Sequence, residues 1–270
     1  MISMTQLIIG FLLACGVAGL AYRLHSLNRS GALAAALMGT VIFGLGSWRW
    51  AVLLLAFFIS SSALSRTFQQ RKRGLSEKFS KGDERDAGQV LGNGGLATAF
   101  VIGNLLFPNS PSPWIGFAAA LAAVNADTWA TELGVLNPTP PYLITNPSQQ
   151  VEKGTSGGIS LLGTAAALAG SALIAALAVW FGPASLGVTA FFGITLAGLA
   201  GALFDSFLGA TVQAMYFCPA DQKETEKHPL HTCGAPTLHI RGWRWLQNDW
   251  VNFACSLVAS LIALVPFWIS

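Results

Sequence analysis

Apolar residues gather into eight stretches of membrane length, at about 5–22, 31–47, 50–65, 90–107, 113–136, 159–181, 185–216 and 249–269. Roughly 20 apolar residues in a helix cross the hydrocarbon core of a bilayer. The pattern therefore predicts an all-α polytopic membrane protein with about eight transmembrane helices in a single domain spanning 1–270. The first stretch has no basic start, and Arg23 follows it, so Leu7–Tyr22 reads as a retained span and not as a signal peptide. The seventh is too long for one straight crossing and is expected to break or to project from the membrane. Two polar connections stand out by length, a charged loop at 66–89 and a mixed one at 217–248.

Composition agrees, with 53% hydrophobic and only 10% charged residues, where soluble domains carry about a quarter charged. The distribution of charge says more. Fourteen Lys and Arg residues fall in the connections after spans one, three, five and seven, and Arg49 alone falls on the other side. Basic residues mark cytoplasmic loops, so both termini are expected outside the cytoplasm. Trp48, Trp50, Trp114, Trp180 and Trp268 all fall at the opposite, outer ends, as an interfacial belt would. The contrast between the sides is topogenic, and no nucleic-acid partner is expected. Cys15 and Cys255 lie in apolar runs, which argues against a disulfide framework. Cys218, His228, His231 and Cys233 share one loop and could bind zinc, although their irregular spacing favours a plain loop of turn residues.

The candidate chemistry centres on Asn125-Ala126-Asp127-Thr128-Trp129-Ala130-Thr131-Glu132 at the end of span five. An acid at mid-membrane costs roughly 2.5–3.5 kcal/mol on insertion scales, so Asp127 and Glu132 mark a functional site. They lie about 140° apart on an ideal helix, so either the helix breaks or they do different jobs. Asp205-Ser206 on span seven is a second acidic element, on one face with Gly198, Gly201, Ala202 and Gly209. Lys153-Gly154-Thr155-Ser156-Gly157-Gly158 opens span six. Glycines that let backbone N–H groups approach, hydroxyl donors and a helix start suit phosphate, though the spacing is not that of a Walker loop. Arg85 leads into Asn93-Gly94-Gly95 at the mouth of span four, and Asp249 and Asn252 share a face at the start of span eight. Asn93-Gly94-Gly95 with Asp127-Thr128, and Ser156-Gly157-Gly158 with Asp205-Ser206, hint at an internal repeat. All these motifs fall at the basic boundary, where carboxylates and phosphate tolerate one another only through a divalent cation such as Mg²⁺.

These motifs resemble those of an integral-membrane family of once-unknown function that includes plant and cyanobacterial phytyl-phosphate kinases. The resemblance covers roughly residues 30–265. More distantly, the acidic segments are similar to those of CTP-using phytol and dolichol kinases and CDP-diacylglycerol synthases. The resemblance implies transfer of phosphate from a nucleoside triphosphate, CTP among them, to a prenyl monophosphate, in the pathway to tocopherol and phylloquinone. On that reading Asp127 and Asp205 hold Mg²⁺, with Glu132 as a further ligand or support. Lys153 and Gly154–Gly158 hold phosphates with help from Arg85, while Asn93, Gly94, Asn125, Thr128, Thr131, Ser206, Asp249 and Asn252 orient nucleotide or metal. A CTP-dependent cytidylyltransferase and an ion-coupled transporter are the rival readings. A transporter site would lie at the bilayer midplane with polar groups leading outward, and the outer halves of these spans carry almost no charge.

Overall fold

The computed structural model describes residues 3–72 and 84–269. Among them are eight helices in chain order: α1 Met4–Arg23, α2 Arg29–Leu45, α3 Trp48–Lys72, α4 Ala87–Leu106, α5 Ser112–Gly134, α6 Leu161–Phe181, α7 Val188–Thr211 and α8 Asn248–Ile269. The expected helical membrane bundle is therefore present. Of the charged 66–89 loop, residues 73–83 lie outside the described residues, while 66–72 continue α3 and 87–89 open α4.

The bundle is built around α5. Every residue from Pro113 to Ala126 is buried, because α3, α4, α6, α7 and α8 all pack against this helix. Its run of alanines has no outward face, and a helix apolar on every side is an interior helix. Six other helices are long and apolar enough to cross a membrane, and α2, at 17 residues, is shorter. α5 is shielded by protein and not by lipid. The small-residue face of α7 makes the close approach: a Cβ on Gly198 would fall 2.2 Å from Ser171 Oγ of α6, and one on Gly201 would fall 2.7 Å from Ala123 Cβ of α5.

The connections show that the helices alternate in direction. The backbones around Leu27 and Arg85 pair, joining the α1–α2 and α3–α4 connections. Ser156, between α5 and α6, donates to Gln213 just after α7, and Gly92 of α4 abuts the backbone of Asp249 in α8. These contacts gather the basic connections at one end. At the other, Gln6 donates to the Gly46 carbonyl and Trp114 to the Ala178 carbonyl.

Four details add to or depart from the sequence pattern. The helices are supplemented by two three-stranded antiparallel sheets at the basic end. One is β1 Tyr142–Leu143, β2 Asn146–Gln150 and β3 Gly158–Ile159, in the order β2-β1-β3; the other is β4 Met215–Cys218, β5 Lys223–Thr225 and β6 Leu238–Arg241, in the order β5-β4-β6. The seventh apolar stretch resolves into a 24-residue helix followed by β4, whose residues Met215 and Tyr216 are buried against the loop and not in the bilayer. Of the tryptophans expected in the outer belt, Trp48 and Trp180 are exposed, but Trp50 and Trp114 are interior and meet edge to face at 4.9 Å. The two halves of the suspected repeat also differ locally, since Asn93–Gly95 lies within α4 whereas Ser156–Gly158 precedes α6 as a loop entering β3.

Candidate active site at the basic end of the bundle

α5 is unbroken, so its two acids point to different neighbours. Glu132 is 6% exposed, and its Oε1 accepts a 2.7 Å hydrogen bond from Ser65 of α3. It also acts electrostatically on Arg85. Asp127 faces the other way, within electrostatic reach of Asp205 on α7. Asp127 lies seven residues before the end of α5 and Asp205 six before the end of α7. At 1.5 Å per residue, each acid is about 10 Å below the basic end of its helix. Both acids lie in the basic half of their helices, between the midpoint and the basic end.

Around Asp205, Cys255 of α8 approaches Oδ2 at 3.4 Å. Asn252 is buried one turn earlier on α8, toward Asp249 and Gly92. Glu226 comes from the β5–β6 segment into electrostatic reach of Asp205 and accepts a 2.9 Å hydrogen bond from Gln213 Nε2. Gln213 is 2% exposed and also receives Ser156 Oγ at 3.1 Å. It thus ties the 153–158 loop, the end of α7 and Glu226 together. Neither Glu226 nor Gln213 was singled out from the sequence. Glu226 sits in an ordinary-looking charged run, Lys223-Glu224-Thr225-Glu226-Lys227. Gln213 carries a faint mark, as a polar residue closing a long apolar stretch.

The 153–158 loop docks one helical turn beyond Asp205. Gly154 and Gly157 have φ of +79° and +87°, a region that L side chains rarely adopt. A Cβ on Gly157 would also fall 2.5 Å from Ala210 Cβ. Gly157 is therefore required as glycine by its contact with α7, and Gly157→Val would disturb this docking with or without a nucleotide. Gly158 lies in β3. Thr155 accepts at its carbonyl from the Gly158 N–H. Lys153 Nζ donates to the carbonyls of Val135 and Asn137, at 3.1 and 2.6 Å, just past the end of α5. A cation there complements exposed helix carbonyls.

Asn125 is fully buried. Its amide donates to the Gly170 carbonyl of α6 at 2.7 Å and its oxygen accepts from Ser60 and Ser61 of α3. Thr128 bonds back to Val124 in its own helix. Thr131 and Ser206 are half-buried on α5 and α7. The Asn125 side chain thus joins three helices. Asn125→Ala should leave Gly170 and the serines without this partner and lower stability by about 1 kcal/mol, in the range of interhelical hydrogen bonds in membranes. Thermal unfolding of the detergent-solubilised protein measures this.

On the Glu132 side a narrow cleft of about 60 Å³ opens between α1, α2, α3 and α4. Its walls are apolar, among them Ala14, Ala18, Met38, Leu54 and Phe58, and its polar lining is Arg85, Gln89 and Asn93. Arg85 lies 5.9 and 5.7 Å over the rings of Phe57 and Phe58 and donates to Ser62 Oγ at 3.3 Å. Burial pulls the guanidinium down from its ordinary value, and the Glu132 carboxylate opposes that pull. Gly94 meets Met38, which brings α4 against α2 beside the cleft. Asp86 caps α4 through a capping box with Gln89, fixing the backbone just after Arg85.

These features define a polytopic α-helical membrane protein with Asp127 and Asp205 in electrostatic reach of each other in the basic half of the bundle, and with an apolar cleft that ends at Arg85 on the Glu132 side of α5. The chain belongs to the family described as integral membrane protein DUF92, which matches residues 12–260. It is 32% identical to Protein PGR of Arabidopsis thaliana over 282 residues, covering 96% of each chain. An uncharacterized membrane protein of Methanocaldococcus jannaschii, MJ0933, is 32% identical over 213 residues, covering 77% of this chain and 84% of that one. Protein VTE6, chloroplastic, from Arabidopsis thaliana, is 27% identical over 247 residues, or 88% of this chain and 65% of that protein. No solved structure matches.

Proposed function

We propose that this protein is a prenyl-phosphate kinase, transferring the γ-phosphate of CTP or another nucleoside triphosphate to a prenyl monophosphate such as phytyl phosphate. The pathway served is that of tocopherol and phylloquinone. The observation that carries the reading is the apolar cleft that ends in Arg85, Gln89 and Asn93. A prenyl chain has the chemistry of the walls, and a phosphate monoester has that of the polar end. Guanidinium is suited to phosphate because its planar fork donates two parallel hydrogen bonds. Glu132 and Ser62 hold Arg85 in place, and the Phe57 and Phe58 rings face its guanidinium.

The nucleotide end is assigned to the α7 side. Asp127, Asp205 and Glu226 offer only hard oxygen donors, and like charges brought together near the interior are costly unless a cation lies among them. This donor set suits Mg²⁺, with Asp127 and Asp205 as ligands and Glu226 at its margin. Bound there, Mg²⁺ would neutralise charge on the transferring phosphate, the main requirement of phosphoryl transfer. Glu132 faces Arg85 and is assigned to positioning it. The 153–158 loop sits where it can reach nucleotide phosphates through its backbone, with Lys153 acting through the end of α5. An oxygen of the bound monophosphate attacks the γ-phosphorus, the bond to the β-phosphate bridging oxygen breaks, and the nucleoside diphosphate leaves.

The outer halves of the spans carry almost no charge, which favours this reading over a transporter, whose polar path would continue outward from the midplane. Incubating the purified chain with phytyl phosphate, Mg²⁺ and each nucleoside triphosphate, then separating the lipids, tests it. A lipid diphosphate is expected; a CDP-lipid would move the assignment to a cytidylyltransferase, and neither product would overturn the enzyme reading for this substrate. With fourteen basic residues at the site's end, that end is proposed to face the cytoplasm or its plastid equivalent. A reporter fused after Ser270 should then be active only if it functions outside the cytoplasm, and activity of a cytoplasmic reporter there would reverse the orientation.

A further inference from the structure

We propose that the β4–β6 loop holds a structural zinc ion on Cys218, Asp221, His231 and Cys233. One ligand atom from each of these four lies within 4.8 Å of all the others. Two tight turns bring them together. β4 ends at Cys218, and the turn after it, closed by Gln222 donating to the Pro219 carbonyl at 2.7 Å, presents Asp221. On the return segment, the Gly234 N–H donates to the His231 carbonyl and the His231 N–H to the Ala235 carbonyl, both at 2.9 Å. Gly234 takes φ of +85°, and this turn sets His231 and Cys233 side by side.

The geometry suits a tetrahedral ion. The two sulfurs are 3.5 Å apart, close to the edge of about 3.8 Å that a tetrahedron with Zn–S bonds of about 2.3 Å requires. His231 Nδ1 lies 2.7 Å from Asp221 Oδ2, which brings the nitrogen and oxygen ligands together beside the sulfurs. Cys218 and His231 are buried at 0% and 3% exposure, while Asp221 and Cys233 close the cluster from its exposed side. Two thiolates and an imidazole select zinc over Mg²⁺ or Ca²⁺, which prefer oxygen. Each thiol releases its proton on binding. The set is not the one that cysteine and histidine counting suggests. His228 stacks on Tyr216 with ring centroids 4.6 Å apart and is not among the four, while Asp221 completes them.

The ion would staple the loop that closes over the candidate active site. From this loop Glu226 reaches Gln213, and Arg241 donates to the Gly209 carbonyl at 2.8 Å. The short strands around it have little apolar core of their own, and small modules of this kind commonly rely on a metal.

The test uses the full chain, purified in detergent with a tag lacking histidine from cells grown with added zinc. Elemental analysis should find about one zinc per chain, as for a closed structural site. After removal of zinc, cobalt(II) should give the intense visible bands of a tetrahedral site and a sulfur-to-cobalt charge-transfer band. His228→Ala should retain the metal, and Cys218→Ser with Cys233→Ser should lose it. The wild-type metal content and cobalt spectrum stand even if the double variant fails to fold. Zinc-free wild-type protein, an octahedral cobalt spectrum without sulfur bands, or a Cys218–Cys233 disulfide seen as a loss of two hydrogens in the intact mass would each overturn the proposal.

Discussion

Asp127→Asn and Asp205→Asn are each expected to lower kcat for phosphate transfer by at least about a hundredfold, the scale on which loss of a preorganised electrostatic group is felt. Both acids sit on interior faces near the same end of the bundle, one on α5 and one on α7, within electrostatic reach of each other. Amide replacement keeps their shape and removes the charge that a divalent cation would need. It should not unfold the bundle, because removing one of two neighbouring buried charges relieves repulsion and desolvation. The variants should therefore unfold at or above the wild-type temperature while turning over little substrate. Near-normal turnover of both at saturating Mg²⁺ would remove these carboxylates from the metal site.

Arg85→Ala should raise KM for the prenyl phosphate by roughly 10- to 100-fold, from the loss of charged hydrogen bonds worth about 1.5–3 kcal/mol. The effect on nucleotide KM should be small, because the nucleotide is assigned to the α7 side. Arg85→Lys restores the charge but not the fork and should recover only part of the affinity. A rise in nucleotide KM with lipid KM unchanged would exchange the two halves of the site. The split separates a binding role from a structural one, since Arg85 also supports the backbone pairing between the α1–α2 and α3–α4 connections and a general loosening would affect both constants together.

The bundle was legible because a bilayer imposes one strong rule. Every spanning segment must be apolar, helical and long enough, and each of the eight apolar stretches became a helix. The misplaced details come from the same rule, which does not distinguish lipid from protein as apolar surroundings. Trp50 and Trp114 read as belt residues by position but face each other in the core. Met215 and Tyr216 read as the end of a span but are buried residues of β4, the central strand of a small sheet. At the site, the helical angle between Asp127 and Glu132 left either a broken helix or two separate jobs, and the unbroken α5 gives each acid its own neighbour. Asn125, read as an orienting group, has its amide and its oxygen engaged in holding α3, α5 and α6 together. The cleft, Gln213 and Glu226 were out of reach because they depend on contacts between distant segments, which no local pattern encodes. The Cys218–Cys233 cluster was half visible: cysteine and histidine counting found three of its members, and only the fold exchanges His228 for Asp221.

The most direct measurement follows the label from CTP into phytyl phosphate, using nucleotide labelled at the γ-phosphate in one reaction and at the α-phosphate in another, with wild-type protein and Asp127→Asn in parallel. Label from the γ-position should appear in phytyl diphosphate with the wild type and be lost with the variant, and α-label should stay in CDP. Label from the α-position in the lipid, or γ-label transferred equally by Asp127→Asn, would contradict the assignment.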